Sequence, residues 1–198
     1  MTFGCVVLAA GAGSRFGGNK LAAPVNGSPI IDYILTSLPA RLFSRVAVVS
    51  ADPSVIDAAQ RHGFELAFND RPELGVSRSI RMGLELTADT DACMFCVGDQ
   101  PLLRRETLAG MLDVYEPGTV LMVSHDGQSG NPVIYPSALY GELSSLYGEE
   151  SGKTVACRHE DLLRLFHLAD ASQLCDVDTR EDLIAVQTLL SPPTNHIR

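Results

Sequence analysis

A chain of 198 residues, 45% hydrophobic and 20% charged, has the proportions of one globular domain with a sizeable core. Its net charge of −9 excludes broad binding to nucleic acid or to anionic membranes, which need a positive field. No apolar run is long enough to span a membrane, and the short N-terminal one lacks the preceding cation of a signal peptide, so a cytoplasmic protein is expected.

The first predicted strand, Phe3–Ala9, stops in the glycine-rich turn Ala10-Gly11-Ala12-Gly13-Ser14 and then supplies two cations, Arg15 and Lys20. Gly11 and Gly13 carry no side chain, so backbone N–H groups of the turn can approach a phosphate closely. Arg15 and Lys20 can neutralise a triphosphate. The stretch from Leu8 and Ala9 through Ser14 therefore reads as a nucleoside-triphosphate cradle. Two better-known phosphate loops are excluded. A dinucleotide turn needs G-x-G-x-x-G, and Phe16 takes the place of its third glycine, which argues against a dinucleotide-dependent oxidoreductase. The nearest match to a P-loop, Tyr147–Thr154, begins with tyrosine after a polar stretch.

Helices and strands then alternate. Pro29–Leu38 is a predicted helix, with Ile30, Ile31, Ile34, Leu35 and Leu38 at helical spacing. After the strand Arg45–Ser50 comes a helix capped by Asp52, begun by Pro53 and ended near Gly63. The strand Phe64–Phe68 leads through Asn69 into a helix over Ser77–Leu86, whose N-terminus suits phosphate or ribose. In the strand Ala92–Val97, Cys93 and Cys96 spell C-x-x-C, but residues three apart on a strand face opposite sides. Core packing is expected of them, and five scattered cysteines suggest no disulfide framework.

Asp99 follows that strand in Gly98-Asp99-Gln100-Pro101. Ligands of open α/β sheets bind at the carboxyl edge, where the first-strand cradle also ends. A carboxylate there, beside a triphosphate, is a natural Mg2+ ligand. The competing role, a cap on the helix Arg104–Tyr115, needs a shorter spacing. A strand over Thr119–Ser124, a short one near Val133–Tyr135, a helix over Ser137–Tyr147 and a strand near Leu165–Leu168 come next. Asp178, in Asp176-Val177-Asp178-Thr179 ahead of the helix Arg180–Leu190, has two readings: a second metal ligand, or an N-cap with Asp182 in the first turn. Near-continuous apolar strands alternating with helices predict an α/β fold, with one domain over 1–191 and a frayed tail over 192–198. The histidines occur singly, without ligand spacing.

The run L-A-A-G-x-G-x-R-x-G followed by lysine resembles the signature of the molybdenum cofactor cytidylyltransferase family, within the glycosyltransferase-A-like nucleotidyltransferases. The resemblance continues to Asp178 and implies a Rossmann-like three-layer sandwich with a mostly parallel central sheet. It implies a Mg2+-dependent enzyme that moves CMP from CTP to the terminal phosphate of molybdopterin and releases pyrophosphate. The cofactor's destination would be a molybdenum hydroxylase or its chaperone. Arg15, Lys20 and Asp99 are then catalytic, with Asp99 the principal metal ligand in a G-D-x-P motif. Asn69, Gly75 and Ser79 match the family's nucleotide-binding loop, although Arg78 replaces one of its usual serines. Gln100, Pro101, Asn131 and Pro132 fall on the acceptor side, Asn131 and Pro132 in a segment that is also readable as a plain turn entering a strand. Gly148-Glu149-Glu150-Ser151-Gly152 is similar to the family's G-D-x-G loop, with glutamate for aspartate.

Ala10 points to cytosine, because guanylyltransferase relatives carry glycine there; and Asn19-Lys20-Leu21 lacks the proline that precedes lysine in sugar and isoprenoid cytidylyltransferases. Two alternatives stay open: the same chemistry with GTP or another phosphorylated acceptor, and a non-catalytic nucleotide-binding accessory protein. Retention of Arg15, Lys20 and Asp99 weighs against the second. An acceptor phosphate is already anionic near neutral pH, so no general base is needed and the lack of a nucleophile set is expected.

Overall fold

The apolar run Phe3–Leu8 is buried on both faces, which requires a layer of helices on each side of it. The computed structural model describes residues 1–11, 13 and 15–190; Ala12 and Ser14 of the expected cradle, and the 192–198 tail, lie outside the described residues. In chain order the elements are β1 (Phe3–Leu8), the small ribbon β2 (Pro24–Val25) and β3 (Ser28–Pro29), α1 (Ile30–Ser37), β4 (Arg45–Ser50), α2 (Pro53–His62), β5 (Glu65–Phe68), α3 (Val76–Thr87) and β6 (Ala92–Val97). There follow α4 (Arg105–Val114), β7 (Val120–His125), β8 (Gln128–Pro136), α5 (Tyr140–Ser144), α6 (Gly152–Arg158), β9 (Leu163–His167) and α7 (Arg180–Leu190). Seven strands form one sheet in the order β5-β4-β1-β6-β8-β7-β9, with β8 alone antiparallel to its neighbours.

Alternation along the strands divides the core in two. Cys5 and Val7 face one cluster with Ile31, Leu35, Val55 and Leu108, which places α1, α2 and α4 on that side; Leu183 and Val186 add α7. Val6 points the other way, toward Ile80 and Leu84 of α3, Leu143 of α5 and Val155 of α6. The mostly parallel three-layer sandwich is therefore present. Cys93 and Cys96 fall in opposite clusters as free, buried thiols. Among the described residues no helix is long and apolar enough to cross a membrane.

Three expectations change in the second half of the chain. The helix expected over Ser137–Tyr147 is only α5, preceded by a 3-10 turn at Ser137–Leu139. Ser145 Oγ donates to the Glu142 carbonyl (2.7 Å), a local bond that competes with continuing the helix. The segment after Gly148 contains the unpredicted helix α6, held by the buried Val155 and Ala156 rather than by sequence propensity, since it opens on glycine. The turn expected at Gly130–Pro132 is instead part of β8. There Val133 pairs with Met122 and Gly130 with Val123, so Asn131 and Pro132 are extra residues in a bulge.

α3 lies against β1 at Gly83, where a Cβ would stand 2.3 Å from Val6 Cγ1. Gly83→Ala is therefore expected to lower stability by about 2 kcal/mol or more through overpacking, against a helix-propensity gain of ~1 kcal/mol. Denaturant unfolding of Gly83→Ala alone and with Val6→Ala checks this: the second change should recover part of the loss by making room.

Candidate active site

The ends of β1 and β6 are laced together. Gly98 N–H donates to the Leu8 carbonyl (2.9 Å), and Ala9 is pinned on its other side by N–H donation to Val49 (2.9 Å) and by Ser50 Oγ donating to its carbonyl (2.8 Å). The glycine turn and Asp99 thus emerge side by side at the carboxyl edge of the sheet. Phe16, which rules out a dinucleotide turn, is buried, and the Arg180 guanidinium lies 4.2 Å from its ring centroid. That cation–π contact fastens the loop to α7.

Lys20 returns from this loop to the centre of the site and is only 9% exposed. Its Nζ lies 2.5 Å from Asp99 Oδ2 and 3.0 Å from Asp178 Oδ1, while Arg15 reaches the other Asp178 oxygen at 2.9 Å. Burial pulls the Lys20 pKa down, but Asp99 and then Asp178 outweigh it, so the net shift is upward and the ammonium is kept. Arg15 remains largely exposed.

The two sequence readings of Asp178 separate here. The α7 cap is reciprocal between Thr179 and Asp182: Asp182 N–H donates to Thr179 Oγ1 (3.2 Å), and Asp182 Oδ2 accepts from Thr179 N–H (2.8 Å) and Asp178 N–H (3.0 Å). The Asp178 carboxylate is left to Lys20 and Arg15. Val177 N–H donates to the Asp99 carbonyl (2.9 Å) and its side chain is fully buried. Asp176 joins the site without having been singled out as a ligand. Crowding by protein, then the charges of Asp99 and Asp178, push its carboxyl above the usual range, opposed by a Gln100 hydrogen bond and by Lys20. The D-x-D spacing was the available signal, since alternate residues of an extended segment share a face.

A cleft of 440 Å3 opens over this cluster. Leu8, Ala9, Ala10, Gly11, Lys20 and Asp99 line it together with Gly75 and Ser79. Glu73, Val76 and Glu149, which sequence reading did not assign as ligands, line it too. Gly13 lies within the loop, where a Cβ would stand 2.7 Å from the Gly18 carbonyl. At Gly75 φ is +93° and a Cβ would stand 2.2 Å from the Gly148 carbonyl; this close approach lets Ser77 N–H donate to Gly148 (3.1 Å).

Other assigned residues sit further back. Asn69 is fully buried: its amide donates to Ser79 Oγ (3.0 Å), and its Oδ1 accepts from Arg78 Nε (2.9 Å) and Arg71 N–H (3.1 Å). Arg78 also pairs with Asp70 (2.9 Å), so both side chains brace the loop. Gln100 is buried beside Asp176, and Pro101 lines a separate hollow with Arg104 and Leu189. The β8 bulge places Asn131 on the wall of a smaller cavity next to the cleft, while Pro132 is buried in the strand.

Among the described residues no three Asp, Glu, His or Cys side chains form a closed metal cage. Asp99 and Asp178, bridged by one ammonium, instead offer the one or two carboxylates that Mg2+ takes when substrate phosphates and water complete its shell. The donor set fits that ion.

The chain is 26% identical over 190 residues to a molybdenum cofactor guanylyltransferase of Vibrio atlanticus, covering 93% of this chain and 95% of the relative. It is 29% identical over 130 residues to the bifunctional protein GlmU of Alkalilimnicola ehrlichii, which covers 59% of this chain; the chain spans about a quarter of that relative's length (26%). A solved nucleotidyl transferase from Methanothermobacter superposes with a TM-score of 0.82 at 20% identity, covering 95% of this chain and 97% of that one, and shares the fold. Residues 5–162 match the model of the MobA-like NTP transferase domain, and the chain belongs to that family of nucleotidyltransferases.

Proposed function

We propose that this protein transfers CMP from CTP to the terminal phosphate of a molybdopterin-type acceptor, releases pyrophosphate and depends on Mg2+. The observation that carries the reading is Lys20, held between Asp99 and Asp178 under the glycine turn. Two anions must be brought together and a third, pyrophosphate, must leave. When bound, Mg2+ offsets negative charge on the phosphates, and Asp99 and Asp178 are the residues to hold it. A triphosphate seated on Gly11 offers the Lys20 ammonium a competing anion, and the raised Lys20 pKa keeps that charge throughout the neutral range. Arg15, exposed at the rim, is free to turn from Asp178 toward the leaving phosphates.

A second reading, guanylyl transfer, is favoured by one finding: the Vibrio atlanticus relative, similar along nearly the whole chain, is a guanylyltransferase. The deciding assay is pyrophosphate release with CTP, GTP and ATP, with and without molybdopterin. Release with CTP that depends on acceptor and Mg2+ supports the first reading; a preference for GTP supports the second, and no release with any nucleotide removes both. Ala10 lines the cleft where a larger base would approach. Ala10→Gly is therefore expected to relax the CTP/GTP ratio of kcat/KM by roughly ten- to two-hundredfold while keeping CTP use. An unchanged ratio would move base selection to the Asn69–Arg81 segment.

A further inference from the structure

Ser79 of α3 lines the cleft and is 4% exposed. A hydroxyl has one proton to give and two lone pairs to receive. Ser79 Oγ receives the Asn69 side-chain amide (3.0 Å), so its own proton points away from Asn69. Among the described residues no protein acceptor takes that proton, whereas Thr87 of the same helix gives its hydroxyl to the Gly83 carbonyl (3.2 Å). The cleft is the side from which a partner can reach Ser79, which makes it a hydrogen-bond donor to whatever the cleft holds.

The direction of this contact is set behind the cleft wall. Asn69 Oδ1 accepts from Arg78 Nε (2.9 Å) and from Arg71 N–H (3.1 Å), so a flipped amide would turn its NH2 onto two donors. Arg78 is held in turn by Asp70 (2.9 Å). Without the Arg78 donor, Arg71 N–H remains on Asn69 Oδ1 and a flip breaks one bond fewer. A flipped amide would present its oxygen to Ser79, accept the hydroxyl proton and withdraw the donor from the cleft.

The neighbourhood indicates what the hydroxyl meets. Ser77 N–H at the start of α3 is given to the Gly148 carbonyl, and Glu73 and Glu149 line the cleft next to Gly75. Carboxylates there disfavour a phosphate, for which Lys20 and Arg15 are the cations, and leave Ser79 suited to an uncharged oxygen or nitrogen of a nucleoside. Resting on the nucleotidyltransferase reading, we propose that Arg78 is a positioning residue for nucleotide binding: through Asn69 it holds the Ser79 hydroxyl as a donor to the nucleoside. Arg78 does not itself line the cleft and acts at one remove.

The test uses binding alone. CTP and GTP are each titrated calorimetrically into the whole protein with Mg2+ and no acceptor, and inorganic tripolyphosphate is the probe that lacks a nucleoside. Ser79→Ala and Arg78→Met should each weaken the better-bound nucleotide by about three- to tenfold. The double variant should be no weaker than either single one, because both changes remove the same contact. Tripolyphosphate should bind all of these proteins alike. Arg78→Gln carries a neutral amide nitrogen as many bonds from Cα as arginine Nε, so it should keep wild-type nucleotide affinity although the charge and the Asp70 pair are gone. A loss in Arg78→Gln as large as in Arg78→Met overturns the proposal, since charge rather than the Asn69 contact would then be at work. Additive losses in the double variant, equal losses for tripolyphosphate, or unchanged affinity in either single variant overturn it as well. A wild type that binds nucleotide, shows the expected losses and releases no pyrophosphate would sink the catalytic reading alone. Turnover accompanied by additive losses would sink the positioning role alone, and a wild type that binds neither nucleotide overturns both.

Discussion

Asp99→Asn is expected to leave the fold intact and to lower turnover by at least about a hundredfold. The structural link of Asp99 is through its backbone: its carbonyl accepts from Val177 N–H, and asparagine retains that bond. The side chain faces Lys20 and the cleft, and asparagine keeps its size while losing its charge. What is removed is one anionic oxygen from a site where Asp178 is the other carboxylate on the same ammonium. The apparent requirement for Mg2+ in the pyrophosphate assay should rise along with the fall in kcat. Circular dichroism and thermal melting check that the variant is folded. Near-wild-type turnover in a folded protein would remove Asp99 from the mechanism.

The parts of this site that were readable in the sequence are those fixed by local chemistry. The cradle follows from an apolar strand running into Gly11 and Gly13, and Asp99 follows from a carboxylate just past a strand end. The α2 boundaries are equally local: Asp52 accepts from Ser54 N–H, and Gly63 closes the helix at φ +71°. What escaped depends on distant partners. α6 owes its existence to a buried face supplied by other elements, and the β8 bulge exists only as a mismatch with β7. Asn69 shows the limit from the opposite side. A polar residue at the right place in a motif reads as a nucleotide ligand, and in the structure it is buried, with one side-chain N–H donated to Ser79 and its oxygen accepting from Arg78 and Arg71. Whether the Asp178 side chain caps α7 likewise could not be read from spacing, because Thr179 and Asp182 fit the capping pattern equally well, and in the structure those two residues form the cap.

Lys20→Ala is expected to reduce kcat by about a hundred- to a thousandfold, roughly 2.7–4 kcal/mol, the range for losing one preorganised charge-stabilising donor. The KM for nucleotide should change much less if the ammonium acts mainly on charge that develops as pyrophosphate leaves; a change confined to KM would mean uniform binding. The same substitution has a second consequence that can be read without turnover. Asp99, Asp176 and Asp178 would lose their shared buried cation, leaving their mutual repulsion opposed by the exposed Arg15 and the Gln100 hydrogen bond to Asp176. Lys20→Ala should therefore melt below wild type without metal, by less than the ~3–5 kcal/mol of a fully buried broken pair, since both carboxylates are partly exposed. Mg2+ supplies a replacement cation to oxygens that Lys20 no longer occupies, so it should raise the variant's melting temperature more than the wild type's. The pH dependence has a fixed sign. The Lys20 pKa is raised in the fold, so its contribution is complete below the ordinary lysine value near ~10.4 and is lost as pH climbs through the higher folded value. Between pH 6 and 9, then, the stability gap between wild type and Lys20→Ala should carry no slope from Lys20, and it should narrow only in strong alkali. A variant that melts like wild type and gains no more from Mg2+ would show that Lys20 does not hold these carboxylates together.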